Sequence, residues 1–298
     1  MPVRNEFRNV ADALSAAIGA SCDERPASAV GGGSISACYR WESADGPLFV
    51  KIGTRNESSM LEAEAEGLRA LGAAGAIRVP RVLAVGSTDS ASFLALEWID
   101  SGPATAATES HLGEQLATLH RVTADAFGWH RDNTIGRTPQ ANGWMSDWTE
   151  FYAARRLRPQ LELAIRNGYG SLLEAPCERL IERLPALLGE HRPVPSLLHG
   201  DLWGGNWFAD RSGMPVVFDP ATYYGDRETD IAMTQLFGGF GREFYAAYRA
   251  SWPLPPGHEV RRALYDLYHL LNHANLFGGG YARRAADTIR RLLAETGA

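Results

Sequence analysis

Apolar residues at Phe7, Val10, Leu14, Ala17 and Ile18 recur at helical spacing, and Gly19 ends the run, which predicts a helix over 5–18. Short strand-like runs follow at Ala29–Val30, Ala37–Trp41 and Leu48–Ile52, separated by a Gly31-Gly32-Gly33-Ser34-Ile35 loop and an Asp45-Gly46-Pro47 turn. A helical pattern covers 57–71, with Gly72 and Gly75 behind it, and two more strands are predicted at Arg81–Val85 and Ser92–Trp98. Ser101-Gly102-Pro103 breaks the pattern. From about 109 the chain reads as mostly helical, with one helix through Leu112, Leu116 and Leu119 and another through Trp148, Phe151, Tyr152 and Arg155. A β-like patch interrupts it, where Pro193–Leu198 runs into His199–Asn206 and Pro215–Phe218 runs into Asp219-Pro220. Helices return at 228–237, 242–251, 258–276 and 281–295. The pattern predicts a two-lobed α+β fold. Residues 1–100 form a small antiparallel β-sheet lobe with one crossing helix, residues 101–298 form a larger, mainly helical lobe, and a hinge lies near 100–105.

Composition narrows the class. At ~150 residues per domain, 298 residues suggest about two domains. The balance of 29 Lys and Arg against 35 Asp and Glu, net −6, argues against a nucleic-acid or anionic-membrane partner. No apolar run approaches the ~18 residues of a membrane span, and the charged start carries no signal-peptide core. Cys22, Cys38 and Cys177 form no C-x-x-C pair, as expected of free thiols in a reducing cytoplasm. Cys38 reads as a packed strand thiol. Of the 29 lysines and arginines, only Lys51 is lysine. A chain that uses arginine everywhere else keeps a compact ammonium at one place.

The helix after Lys51 holds Glu62, Glu64 and Glu66. At ~100° per residue, Glu64 shares a face with Leu61, Leu68 and Leu71, whereas Glu62, Glu66 and Arg69 lie opposite. A carboxylate aimed at a packed side needs a cationic partner, and Lys51 is the candidate. Asp201-Leu-Trp-Gly-Gly-Asn206, followed by Asp219, has the spacing of kinase-type phosphoryl transfer. One Asp receives the proton of the attacking hydroxyl, and an Asn and a second Asp offer oxygen ligands to magnesium. The loop Gly31–Ile35 lies between strands and opens no helix, so its N–H groups would cover a polyphosphate without being the G-x-x-x-x-G-K-[ST] motif.

In order, G-G-G-S-I, F-V-K, E-A-E-G-L, E-W-I, H-G-D-L-W-G-G-N and F-D-P-A resemble the protein-kinase-like fold of small-molecule phosphotransferases. More narrowly they resemble the fructosamine kinase (ketosamine 3-kinase) family. Segments 127–140, 147–152, 223–240 and 264–278 carry that likeness over roughly 5–285. H-G-D alone is shared with aminoglycoside and choline kinases, and Trp203 narrows the match.

The resemblance implies ATP and Mg2+ as cofactors. It implies Asp201 as catalytic base, Asn206 and Asp219 as magnesium ligands, and Lys51, held by Glu64, on the phosphates. Gly31, Gly32, Gly33, Ser34 and Ile35 would cover the phosphates. Glu97, Trp98 and Ile99 would form the hinge that pairs with adenine, and Trp203 a platform for the sugar. Some members carry a cysteine in the glycine loop, where this chain has Ser34. The implied activity is phosphorylation of the 3-hydroxyl of ketosamines, free or protein-bound, leading to deglycation. The oligomeric state stays open. Kinases of the aminoglycoside, choline or homoserine type are the alternative, expected to wall a cationic substrate with acidic residues. A nucleotide-binding pseudokinase is expected to show a broken catalytic set.

Bland roles are expected for several further residues. His199 and Asp230 order the catalytic loop, His120 is a satisfied core histidine, and Tyr265, Tyr268 and Phe277 are core. Asp132, Asn133 and Gln140 are either sugar contacts or loop caps.

Overall fold

The computed structural model describes residues 4–31 and 36–297. In the first lobe, helix α1 (Arg4–Ile18) precedes strands β1 (Ser28–Val30), β2 (Ala37–Ser43) and β3 (Gly46–Thr54), then helix α2 (Ser58–Ala73) and strands β4 (Val82–Ser87) and β5 (Ala91–Glu97). The strands form one antiparallel sheet in the order β1-β2-β3-β5-β4. Side chains on successive strand residues face opposite sides. Val50, Ile52, Phe93 and Ala95 therefore pack with Val10 and Leu14 of α1, while Leu94 and Leu96 meet Leu61, Ala65 and Leu68 of α2. Full burial of each such large aliphatic side chain stabilises by about 1.5–3 kcal/mol. The sheet is thus clamped between two helices.

Ser101-Gly102, expected as a break at the hinge, forms strand β6 (Ser101–Gly102) and pairs with Ala209 and Asp210 of the second lobe, so the crossover is stitched down. Helix α3 (Ala106–Leu119) leads to a hairpin of β7 (Asn133–Ile135) and β8 (Thr138–Gln140). Next come α4 (Trp148–Phe151), α5 (Arg158–Ala164), α6 (Gly170–Glu182) and α7 (Leu184–Leu188), with wide π-type turns at Tyr152–Leu157 and Ile165–Tyr169. The β-like patch resolves into β9 (Ser196–Leu198), β10 (Trp207–Asp210), β11 (Pro215–Val217) and β12 (Tyr223–Gly225), where β9 pairs with β12 and β10 with β11. Helices α8 (Glu228–Leu236), α9 (Arg242–Ser251), α10 (His258–Phe277) and α11 (Tyr281–Glu295) close the chain.

One core runs through this lobe, from Leu112 and Leu116 of α3 through Phe151, Leu161 and Leu180 to Leu264, Leu271 and Ile289. Arg156 lies inside it with no exposed surface. Its guanidinium sits 4.0 Å from the Tyr223 ring and donates to the Ala141 carbonyl at 2.6 Å and Asn142 Oδ1 at 2.8 Å. Tyr265 and Tyr268 are buried as expected, but Phe277 is 59% exposed at the end of α10, where the apolar face of that helix runs out. Among the described residues, no helix is long and apolar enough to cross a membrane.

Candidate active site

Strand alternation sends Val50 and Ile52 toward α1 and turns Lys51 toward α2 and the cleft between the lobes. Lys51 is 6% exposed. Its ammonium stands 2.8 Å from Glu64 Oε1 and contacts Asp219 Oδ1. Burial alone would lower this lysine. Asp219 and Glu64 outweigh that penalty and hold it above the ordinary lysine range. Burial in turn raises Glu64 above the usual carboxylate range, against the opposing pull of Lys51.

The loop after β9 is built on Asp230. Its carboxylate accepts from the backbone N–H of His199 at 2.8 Å and of Gly200 at 2.9 Å. His120 Nε2 adds a contact at 3.1 Å, and its Nδ1 lies 2.8 Å from the Tyr248 hydroxyl. Burial would raise Asp230, but the His120 hydrogen bond and the nearby imidazoles hold it below the usual range. His199 Nδ1 accepts from the Asp201 N–H at 3.3 Å, so Nε2 carries the proton donated to the Phe218 carbonyl at 2.9 Å. Burial lowers His199 and keeps this imidazole neutral. His199 and Asp230 hold the backbone of residues 199–201, the loop-ordering role expected of them, while His120 is a core histidine that supports Asp230.

Asn206 Nδ2 donates to the Asp201 carbonyl at 2.8 Å, and the Asn206 carbonyl accepts from the Phe218 N–H at 3.0 Å. These bonds fix the loop against the segment that carries Asp219. Asp219 itself has φ +56°, in the left-handed region, which Asp tolerates better than most residues. Burial pushes Asp201 up to about 7, with Asp219 and Asp230 adding to the rise. Trp203, 38% exposed, overhangs the cleft.

Two cavities meet here, sharing Cys38 and Asp219 as lining residues. The smaller, about 130 Å³, is lined by Lys51, Glu64, Asp201, Asn206, Asp219 and Trp203 and is faced by Asn133, Thr134 and Gly136 of the hairpin. The larger, about 450 Å³, is more apolar, lined by Phe49, Leu96, Phe208 and Phe218 with Glu97, Trp98, Ile99 and Gly31 at its edge. The Glu97 side chain turns away to Arg78 at 3.4 Å and Arg81 at 3.5 Å, and its N–H donates to the Arg81 carbonyl at 2.9 Å. Gly32, Gly33, Ser34 and Ile35 lie outside the described residues. Cys38 is a buried strand thiol, raised by burial to about 11 and therefore unreactive near neutrality.

Other candidates sort by their partners. Asp132 caps the hairpin by accepting from the Asn142 N–H at 2.8 Å. Asn133 Nδ2 donates to the Thr222 carbonyl at 2.9 Å, and buried Gln140 bonds Asn133 and Tyr268. Asn133 still lines the cleft. Away from the cleft, His191, Asp226 and Glu228 lie close enough to share a cation. There Tyr265 donates to Asp226 and Arg261 binds both Glu228 oxygens, so these carboxylates are already engaged.

A family model described as fructosamine kinase matches residues 6–295. The chain belongs to the fructosamine kinase family. A "probable ketoamine kinase" of Synechocystis is 42% identical over 296 residues, covering 98% of this chain and 99% of that one. A chloroplastic protein-ribulosamine 3-kinase of Oryza sativa subsp. indica is 43% identical over 265 residues, with 88% of this chain and 77% of that one covered. A crystal structure of a "putative fructosamine-3-kinase" from Thermobifida fusca superimposes with a TM-score of 0.85 at 34% identity, covering 98% of this chain and all of the other. The two-lobed kinase fold is therefore that of the fructosamine kinase family.

The sequence pattern did not reveal the hairpin wall, Phe49 and Phe208 around the larger cavity, or the partners of Glu66. The hairpin had one local signal, a Gly136-Arg137 turn between Thr134-Ile135 and Thr138.

Proposed function

We propose that this member of the fructosamine kinase family transfers the γ-phosphoryl group of ATP to the 3-hydroxyl of ketosamines, namely fructosamine and ribulosamine adducts. A phosphate at that carbon gives the adduct a leaving group, and its breakdown frees the amine. The observation that carries the reading is the meeting of Lys51, Asp201, Asn206 and Asp219 at one cleft, beside an apolar cavity large enough for a purine. The uncharged polar groups on the hairpin wall of this cavity suit the hydroxyls of the sugar part of a ketosamine. Glu64, Asp201 and Asp219 are the only acidic groups lining that cavity among the described residues, and the hairpin offers Asn133, Thr134 and Gly136. An acid-lined site for a polycationic aminoglycoside would look different.

Asp201 is the base. Burial raises it above the usual carboxylate range, which favours acceptance of a hydroxyl proton. Lys51, positioned by Glu64, offsets charge on the phosphates. Asn206 and Asp219 form a hard-oxygen donor set that fits Mg2+; the Asn206 amide turns Nδ2 to the Asp201 carbonyl, which leaves Oδ1 for the cation. Magnesium supplies charge neutralisation of the polyphosphate when bound. The backbone of Glu97–Ile99 pairs with adenine, Gly31 borders the nucleotide cavity, and Trp203 stacks on the sugar. The nucleotide lobe spans 1–100 and the catalytic lobe 101–298. The three free cysteines fit a reducing cytoplasm.

The test is mass spectrometry of fructosyl- and ribulosyl-lysine peptides incubated with the enzyme, ATP and Mg2+. The expected course is a transient gain of one phosphate, then recovery of the bare amine. Unchanged peptides alongside phosphorylated aminoglycosides overturn the reading.

A further inference from the structure

Helix α2 carries two glutamates that face different lobes. Glu64 meets Lys51. Glu66, two residues on, belongs by periodicity to the polar side of the helix, where a solvated carboxylate is expected. Glu62, on that same side, bonds Ser58 of its own helix. Glu66 instead reaches across to the second lobe. Its Oε1 accepts from Arg131 Nη1 at 2.9 Å, and its Oε2 lies 3.0 Å from His130 Nε2. Arg131 Nη2 also reaches the Ser59 carbonyl in the first turn of α2, at 3.4 Å. The guanidinium therefore grips the helix at two levels.

These contacts close a circuit. Arg131 lies two residues before Asn133, whose amide donates to the Thr222 carbonyl, and Gln140 donates to the Ala221 carbonyl at 3.2 Å. Ala221 and Thr222 directly follow Asp219-Pro220. The same stretch packs against α2 at Gly67, where a Cβ would stand 2.9 Å from Thr222 Oγ1 and 3.3 Å from Pro220 Cγ. Asp219 contacts Lys51, and Lys51 pairs with Glu64, two residues before Glu66. Apolar packing on Leu94 and Leu96 and the close approach at Gly67 turn one face of α2 inward, but apolar packing is itself non-directional and makes no contact with the polar face that carries Glu66. Charge-assisted hydrogen bonds are directional.

We propose that Glu66 and Arg131 are positioning residues. As a pair spanning the lobes, they hold α2 at the rotation that presents Glu64 to Lys51, and they join the nucleotide end of the cleft to the hairpin that walls its acceptor end. The proposal rests on the kinase reading of Lys51 and Glu64. As a stability element the pair is modest, since both side chains keep about a third of their surface exposed. Its value is registration of the helix.

The test measures ADP·Mg2+ affinity by calorimetry and amide hydrogen exchange over 58–73 in Glu66→Gln, Arg131→Met and the double variant. Glu178→Gln, which breaks the exposed Arg158 pair (2.9 Å), is the control. Each single change is expected to weaken ADP binding by up to about 5-fold, the limit for a pair worth ~1 kcal/mol, and to speed exchange in α2. The double variant should be no worse than the worse single, because the two act as one unit. The control should match wild type, and KM for ATP should rise more than KM for the acceptor. Wild-type ADP affinity and α2 exchange in both singles overturn the proposal, as do losses that multiply independently in the double or merely follow global unfolding. ADP affinity needs no ketosamine, so failure to turn over ketosamines leaves this result standing. If the wild type binds no ADP, exchange in α2 alone decides.

Discussion

Lys51 is buried, and its ammonium stands between Glu64 and Asp219. A planar guanidinium of the same charge is larger and directs its donors along a fixed fork. Lys51→Arg should therefore lower kcat by about 10²-fold or more, the scale of losing one preorganised charge donor. Steady-state kinetics checks this, and arginine working at the wild-type rate would show that charge alone suffices. Asp201→Asn keeps the shape and the loop contacts but removes the base. Turnover should fall by about 10²- to 10⁴-fold while ADP still binds. Wild-type turnover in that variant removes Asp201 from the base role. Both residues were legible in the sequence, Lys51 as the solitary lysine and Asp201 through its spacing to Asn206 and Asp219. Glu66 was not, because its partners lie about sixty residues away and helical periodicity carries no information about a distant loop.

At the level of elements, the turn between β9 and the catalytic loop depends on Gly200. Its φ is +83°, and a Cβ there would sit 2.1 Å from the Ala221 carbonyl oxygen, a backbone atom that cannot step aside. Its N–H also anchors to Asp230. Gly200→Ala should destabilise the protein by ~2 kcal/mol or more, through backbone strain together with the clash. A larger effect on kcat should accompany it, because the displaced loop carries Asp201. Thermal unfolding and kinetics on the same sample check both, and an unchanged melting temperature would contradict the steric reading. The strands of the first lobe were readable as short apolar runs bounded by turn residues. The β7–β8 hairpin read as a polar loop because its stabilising groups, Asn133, Gln140 and Asn142, are polar side chains bonded to one another and to residues 221–222. Ser101-Gly102 looked like a break because a two-residue strand has no periodicity, and only its partner β10 makes it a strand.

Across the whole molecule, the second lobe keeps ionisable groups in its core. His269 is 4% exposed, and burial pulls it down to about 3. An unfolded histidine takes its proton near pH 6.5, so between that pH and about 3 the unfolded state binds more protons than the native one. Stability from this residue is present above pH 6.5 and is lost as pH falls. Replacing it by His269→Gln should flatten that dependence. The stability difference between wild type and variant should shift against the wild type by about 1.4 kcal/mol per pH unit below pH 6.5, measured by urea unfolding at several pH values. Parallel curves would mean that His269 titrates normally in the native state.

The sequence by itself determined the two-lobed α+β class, the family and the chemical types gathered for phosphoryl transfer. Those properties are written in local periodicity, in turn residues and in short fixed spacings such as Asp201 to Asn206. Tertiary structure alone decided that Glu66 faces the second lobe, that Phe277 is exposed and that Asn133, Thr134 and Gly136 of a hairpin wall the cleft. Each of these depends on which distant segments come to lie side by side, and a pattern read along the chain records only which face of an element is apolar.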